Sequence, residues 1–134
     1  MVVLSNTNEQ TLQPGSSLTF DRLVTHSGCG ECARSGGPVN LRFAGSTYRV
    51  AFHGNVTGAT AAAPVQLAIA IGGAPLTETT MIYTPAAANA VGNVGTETYV
   101  PTCSSGNSIT ITNTGVNPII VSPGAALTII RTAG

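Results

Sequence analysis

Lysine is absent from the chain and charge of either sign is scarce. Five arginines and five carboxylates in 134 residues make 7% of the composition, against roughly a quarter in an ordinary soluble domain. The formal net charge is zero. A phosphate backbone or an anionic bilayer selects clustered Arg and Lys, so neither nucleic acid nor membrane is an expected partner. Asp21 is the sole aspartate, and His26 and His53 are the only histidines. A Ser-His-Asp set would have to recruit that one aspartate. Glu9, Asp21, Glu31, Glu78 and Glu97 contain no close pair within a strand for glycosidase-like acid/base work. Gly92-Asn93-Val94-Gly95 lacks the lysine and the following helix of a phosphate-cradling loop. No enzymatic activity and no cofactor is therefore expected. Long apolar runs are missing too. The stretch from Ala59 to Leu76 is interrupted by Thr60, Pro64, Gln66, Gly72 and Gly73, and Met1-Val2-Val3-Leu4-Ser5 has no basic region of a secretory signal. A protein made without a signal still leaves a cell by lysis, or is assembled onto a spore, so this does not decide localisation.

What the chain does have is alternation. Tyr48, Val50 and Phe52 alternate with Arg49, Ala51 and His53 between glycines 45 and 54, the period of a half-buried strand. Val65, Leu67, Ile69 and Ile71 alternate with Gln66, Ala68 and Ala70, and Ile109 and Ile111 alternate with Thr110 and Thr112. The spacing predicts strands at 2–5, within 10–20, at 39–43, 47–57, 64–71, 77–85, 96–103, 109–114, 118–121 and 126–132. A Gly/Ser/Cys-rich loop is predicted from Thr25 to Asn40. Asn55-Val56-Thr57 is a formal glycosylation sequon that reads better as part of a strand. With hydrophobic residues at 43% and no helical periodicity, the expectation is one all-β domain over 1–134, about ten short strands in an antiparallel sandwich.

The cysteines are the one group with chemical potential. Cys29-Gly30-Glu31-Cys32 holds two thiols near each other, His26 lies three residues upstream, and Cys103 stands at a predicted strand end. A disulfide with one free thiol is the first reading, and three unpaired thiols the second. Zinc held by Cys29, Cys32, Cys103 and His26 is the third, incomplete because a second C-x-x-C is missing. Redox chemistry of the thioredoxin kind would need a strand-to-helix junction after Cys32, and no helix follows.

The order of these elements resembles a known superfamily. The chain shows Gly45-x-x-Tyr48-x-Val50-x-Phe52, then a strand ending in Gly72-Gly73. Gly106-Asn107-Ser108-Ile109-Thr110-Ile111-Thr112-Asn113 follows, and Leu127-Thr128-Ile129-Ile130 closes it. These look like the jelly roll of the tumour-necrosis-factor and complement-globular-head superfamily, and more specifically like its short bacterial and phage members. The resemblance implies a two-sheet jelly roll assembled as a homotrimer. It puts Tyr48, Val50, Phe52, Ile109 and Ile111 in the core. It puts Arg49, Ala51, His53, Thr110 and Thr112 on the outer face of the inner sheet, the face such trimers bury against their neighbours. The departures are the cysteine-bearing loop and the paucity of aromatics, three Tyr and three Phe.

Three functions follow as expectations. The first is a structural protein on the capsid surface of a phage virion, a trimeric head decoration or fibre whose partners are other virion proteins. The second is a head domain on a bacterial spore or cell surface, such heads normally ending a collagen-like stalk that this chain does not show. The third is a carbohydrate- or receptor-binding module, disfavoured by loops of Gly, Ser, Ala and Thr.

Overall fold

Eleven residues from Thr47 to Thr57 form one unbroken strand, and the rest of the fold is arranged about it. The structure, a computed structural model, describes residues 1–26, 31–32, 39–41, 46–101 and 107–133. In chain order the strands are β1 (Val2–Ser5), β2 (Gln10–Leu12), β3 (Arg22–His26), β4 (Glu31–Cys32), β5 (Val39–Leu41), β6 (Thr47–Thr57), β7 (Val65–Ile71), β8 (Ala74–Pro75), β9 (Met81–Tyr83), β10 (Val91–Pro101), β11 (Asn107–Asn113), β12 (Ile119–Val121) and β13 (Ala126–Ala133). A 3-10 turn, Thr77–Thr79, separates β8 from β9.

All pairings are antiparallel, and they make two sheets. The first runs β2-β12-β6-β13-β1-β3, with β10 on the other side of β6; the second runs β4-β5-β11-β7-β8, with β9 also on β7. β12 and β13 share one side of β6, meeting its two ends in turn. The expected antiparallel two-sheet jelly roll is the fold that forms.

The period-two alternation explains the packing. Tyr48, Val50 and Phe52 are buried together with Val2, Leu4, Leu127 and Ile129 of the same sheet. Val65, Leu67, Ile69, Ile109 and Ile111 of the second sheet face them. Each such side chain contributes roughly 1.5–3 kcal/mol by leaving water. Phe20 meets Phe52 edge-on with ring centroids 6.4 Å apart. Gly54 continues the buried side of β6 because a Cβ there would stand 2.9 Å from the Ala125 methyl.

Several expectations need correction. The segment from Thr25 to Asn40 is not loop throughout: Thr25 and His26 complete β3, and Glu31–Cys32 pairs with β5. Residues 91–95, read as a glycine loop ahead of a strand at Thr96, belong to β10, which pairs with β6 over its full length. Gly92 is needed there by close packing, since the Tyr83 ring occupies the place of its missing side chain while Tyr83 Oη donates to Ala90 O at 3.0 Å. Thr77–Thr79 turns as 3-10 helix instead of extending, held by the buried Thr79 hydroxyl, which donates to Leu76 O at 2.7 Å and accepts from Ile69 N at 2.9 Å. After Pro14, residues 15–18 form only an isolated bridge to β11, with Gly15 N and Leu18 N bonded to Asn113 O and Ile111 O.

Two buried asparagines tie the connections down. Asn6 Nδ2 donates to Asn8 O and Ser122 O, and its Oδ1 accepts from Ala125 N at 2.9 Å. Asn113 Nδ2 donates to Leu12 O and Asn117 O, both at 2.9 Å, and its Oδ1 accepts from Gly115 N at 2.9 Å.

Candidate functional site

Because side chains opposite one another in a ladder share a face, the strand registers define the outer surface of the first sheet rung by rung. One rung is Arg22, Ser5, Ala126, His53 and Gly95, from β3 across to β10. The next is Thr25, Val3, Thr128, Ala51 and Glu97, and a third brings Ile130, Arg49 and Tyr99 together. The middle of this face is therefore built of small side chains, Ser5, Ala126, Thr128 and Ala51. A diagonal ion pair crosses it: Arg49 Nε and Nη2 each donate to a Glu97 carboxylate oxygen at 2.8 Å. These hydrogen bonds and the opposite charge hold the Glu97 carboxyl below its ordinary range and push the Arg49 guanidinium above its own. Both side chains are more than 40% exposed, so salt screens the pair and it contributes little to stability.

Exposed large apolar residues mark the two margins of this sheet. Met1, Leu23 and Val24 are 40%, 40% and 47% exposed along β1 and β3, and Val91 and Tyr99 are 64% and 58% exposed on β10. The β10 margin adds a carboxylate, Glu97, and the β3 margin a guanidinium, Arg22. None of these margin residues stands out in the sequence, because nothing in a local pattern tells which strands end a sheet.

Of the five residues expected on one face, Arg49, Ala51 and His53 do lie together on the outside of β6. Thr110 and Thr112 do not join them. They lie on β11 in the second sheet, beside Ala70 and Ala68 of β7, with Thr112 hydrogen-bonded to Ser17 at 2.9 Å. Placing them on the same face was wrong because alternation reveals which side of its own sheet a residue takes, not which sheet its strand joins. The five expected core residues, Tyr48, Val50, Phe52, Ile109 and Ile111, are each at most 2% exposed.

Cys29 and Cys103 lie outside the described residues. His26 ends β3 in the first sheet and Cys32 lies in β4 of the second; their side chains are also outside what is described. Among the described residues no group of three or more His, Cys, Asp or Glu gathers as metal ligands, and no helix is long and apolar enough to cross a membrane.

No protein-family model matches the chain, and no curated protein does. Solved structures do. Mouse APRIL at pH 8.0 superposes with a TM-score of 0.70 over 98% of this chain and 97% of that one, at 17% identity. APRIL at pH 5.0 gives 0.65 over 98% of each chain, at 16% identity. The chain has a tumour-necrosis-factor-like jelly-roll fold. The PRD1 vertex protein P5 superposes at 0.48 with 14% identity, too distant to argue from. At these identities the likeness establishes the fold of this jelly roll and leaves its biological role to the surface just described.

Proposed function

We propose that this jelly roll is a non-enzymatic structural protein of a phage virion, a homotrimer displayed on the capsid as a head decoration or fibre. The observation that carries the assembly is the pair of unlike margins on the first sheet. A ring closes head to tail, so each copy must offer two different, complementary patches. Here Tyr99, Val91 and Glu97 form one margin, and Leu23, Val24 and Arg22 the other. Between them the small-residue face of Ala51, Ala126, Thr128 and Gly95 lets a neighbour approach closely. Scarcity of charge over the whole chain supports the same reading, since an isolated monomer with so few charges is poorly protected from association. The sequence resemblance to short phage and bacterial heads supports three as the number of copies and the virion as the location.

Mixing two variants tests the assembly. Tyr99→Asp and Val24→Asp each spoil one margin, and light scattering should report single chains for both. Mixed in equal amounts they retain one intact contact and should pair as a dimer, while the wild type gives three chains. A wild-type chain that stays monomeric at tens of micromolar removes the proposal's support. Mass spectrometry of purified particles tests location: the chain should be present in many copies, and its recovery only from spores or cell walls would favour the surface-head reading.

A further inference from the structure

His53 stands among small neighbours on the outer surface of the first sheet. It is exposed, and its rung places Gly95 on one side and Ala126 on the other, with Ser5 and then Arg22 beyond. The missing side chain of Gly95 leaves the imidazole beside bare main chain, since a Cβ there would stand 3.6 Å from the His53 Cβ. Along β6 its outward neighbours are Ala51 and Asn55, and Asn55 Oδ1 accepts from Asn93 Nδ2 at 3.0 Å. On β10 the carboxylate is Glu97, both of whose oxygens are taken by Arg49 of β6, and Tyr99 lies a rung further along. On β13 Arg131 sits at the far end, in register with Tyr48. The Met1 amine precedes β1, and Glu9 precedes β2, which reaches β6 only through β12. Asp21, just before β3, is engaged by Thr7. Arg22 of β3 is three strands from His53, roughly 14 Å at about 4.8 Å per strand. Among the described residues none of these groups hydrogen-bonds to the imidazole.

We propose that His53 makes the contact between copies across this sheet sensitive to pH: the neutral imidazole lets a neighbour cover the small-residue face, and the imidazolium drives it off. The proposal rests on the assembly reading above. Imidazole is the side chain whose ordinary charge change falls between about pH 5 and 8. Covering a neutral ring costs at most an unmade hydrogen bond, whereas covering a charged one with no carboxylate to receive it is far more unfavourable. Head-to-tail closure also brings the Arg22 margin of the next copy towards β10, the strand beside His53, so a cation approaches the ring as it becomes one. Because covering favours the uncharged ring, assembly is complete above the histidine range and is lost as pH falls through it. Asp21 and Glu97 lie below their ordinary carboxylate range and keep their charge over that interval, so they do not produce the change.

Light scattering over a concentration series, at about pH 7.5 and about pH 5.5 and one ionic strength, tests the proposal. Wild type should form three chains at the higher pH. The concentration needed for half assembly should rise at least about tenfold at the lower one, with the circular dichroism of the sheets unchanged. His53→Gln, uncharged at both, should assemble equally at both. His53→Arg, charged at both, should assemble poorly at both. His26→Gln leaves His53 as the remaining histidine and should respond like wild type. Equal assembly of the wild type at the two pH values overturns the proposal. A His53→Gln variant that still comes apart in acid does the same, and so does a His26→Gln variant that no longer responds. Single chains of wild type already at about pH 7.5 overturn the assembly reading itself.

Discussion

Asn113 is the side chain whose removal should report most sharply on how the loops are held. It is 1% exposed, and its amide engages three separate main-chain groups: Leu12 O before the turn at Pro14, Asn117 O before β12, and Gly115 N between them. In Asn113→Ala all three lose their partner at once. A buried main-chain group left unpaired costs on the order of 1–3 kcal/mol, and the Gly115 and Asn117 groups lie nearer water, so the sum is about 3–5 kcal/mol. That is a large fraction of the roughly 5–15 kcal/mol that holds a domain of this size. Urea unfolding should show the midpoint falling with the slope unchanged, because the same surface is exposed on unfolding. Amide exchange should accelerate first at Gly115 and across β12, where the released groups lie. A midpoint within experimental error of wild type would refute the reasoning, as would exchange that speeds up uniformly over both sheets.

Phe52→Ala should cost about 3–5 kcal/mol by emptying the space beside Phe20, while Arg49→Ala on the other face of the same strand costs a small fraction of that; near-equal shifts on thermal unfolding would mean the faces are exchanged. Gly92→Ala drives a methyl into the Tyr83 ring and should lower the melting temperature markedly; the double variant with Tyr83→Ala should lose less than the sum of the two single losses, and strict additivity would deny the contact. The carboxyls of Asp21 and Glu97 lie below their ordinary values, the first through bonds from the Thr7 hydroxyl and main-chain N–H, the second through Arg49. A lowered folded value means that their contribution is present above the unfolded value near 4 and is lost as pH falls through the folded one; Asp21→Asn and Glu97→Gln should flatten the acid limb of stability against pH, and an unchanged limb would exclude both groups. Ala51→Glu adds a carboxylate at the centre of the small-residue face and should return single chains in light scattering; an unchanged mass would place Ala51 outside the contact between copies.

Alternation was legible wherever a strand has one face in the core and one in water. The sequence by itself therefore determined β6, β7 and β11, the buried identities of Tyr48, Val50, Phe52, Ile109 and Ile111, and an all-β sandwich. Partnership between strands was not legible. β6 and β11 carry the same alternating signature yet belong to different sheets, so Thr110 and Thr112 are separated from Ala51. Nor could local pattern find β10 before Thr96, because Gly92 and Gly95 read as breaks until the ladder to β6 and the ring of Tyr83 supply their reason. Nothing in the sequence marks Asn6, or Asn113 inside the strand expected at 109–114, as a buried anchor, since each reaches a partner more than a hundred residues away, at Ala125 and Leu12. The tertiary structure alone decided which strands end a sheet and hence which apolar side chains remain at its margins. Side-chain period is a property of neighbours in sequence, while sheet membership, edges and asparagine partners depend on contacts between residues far apart in the chain.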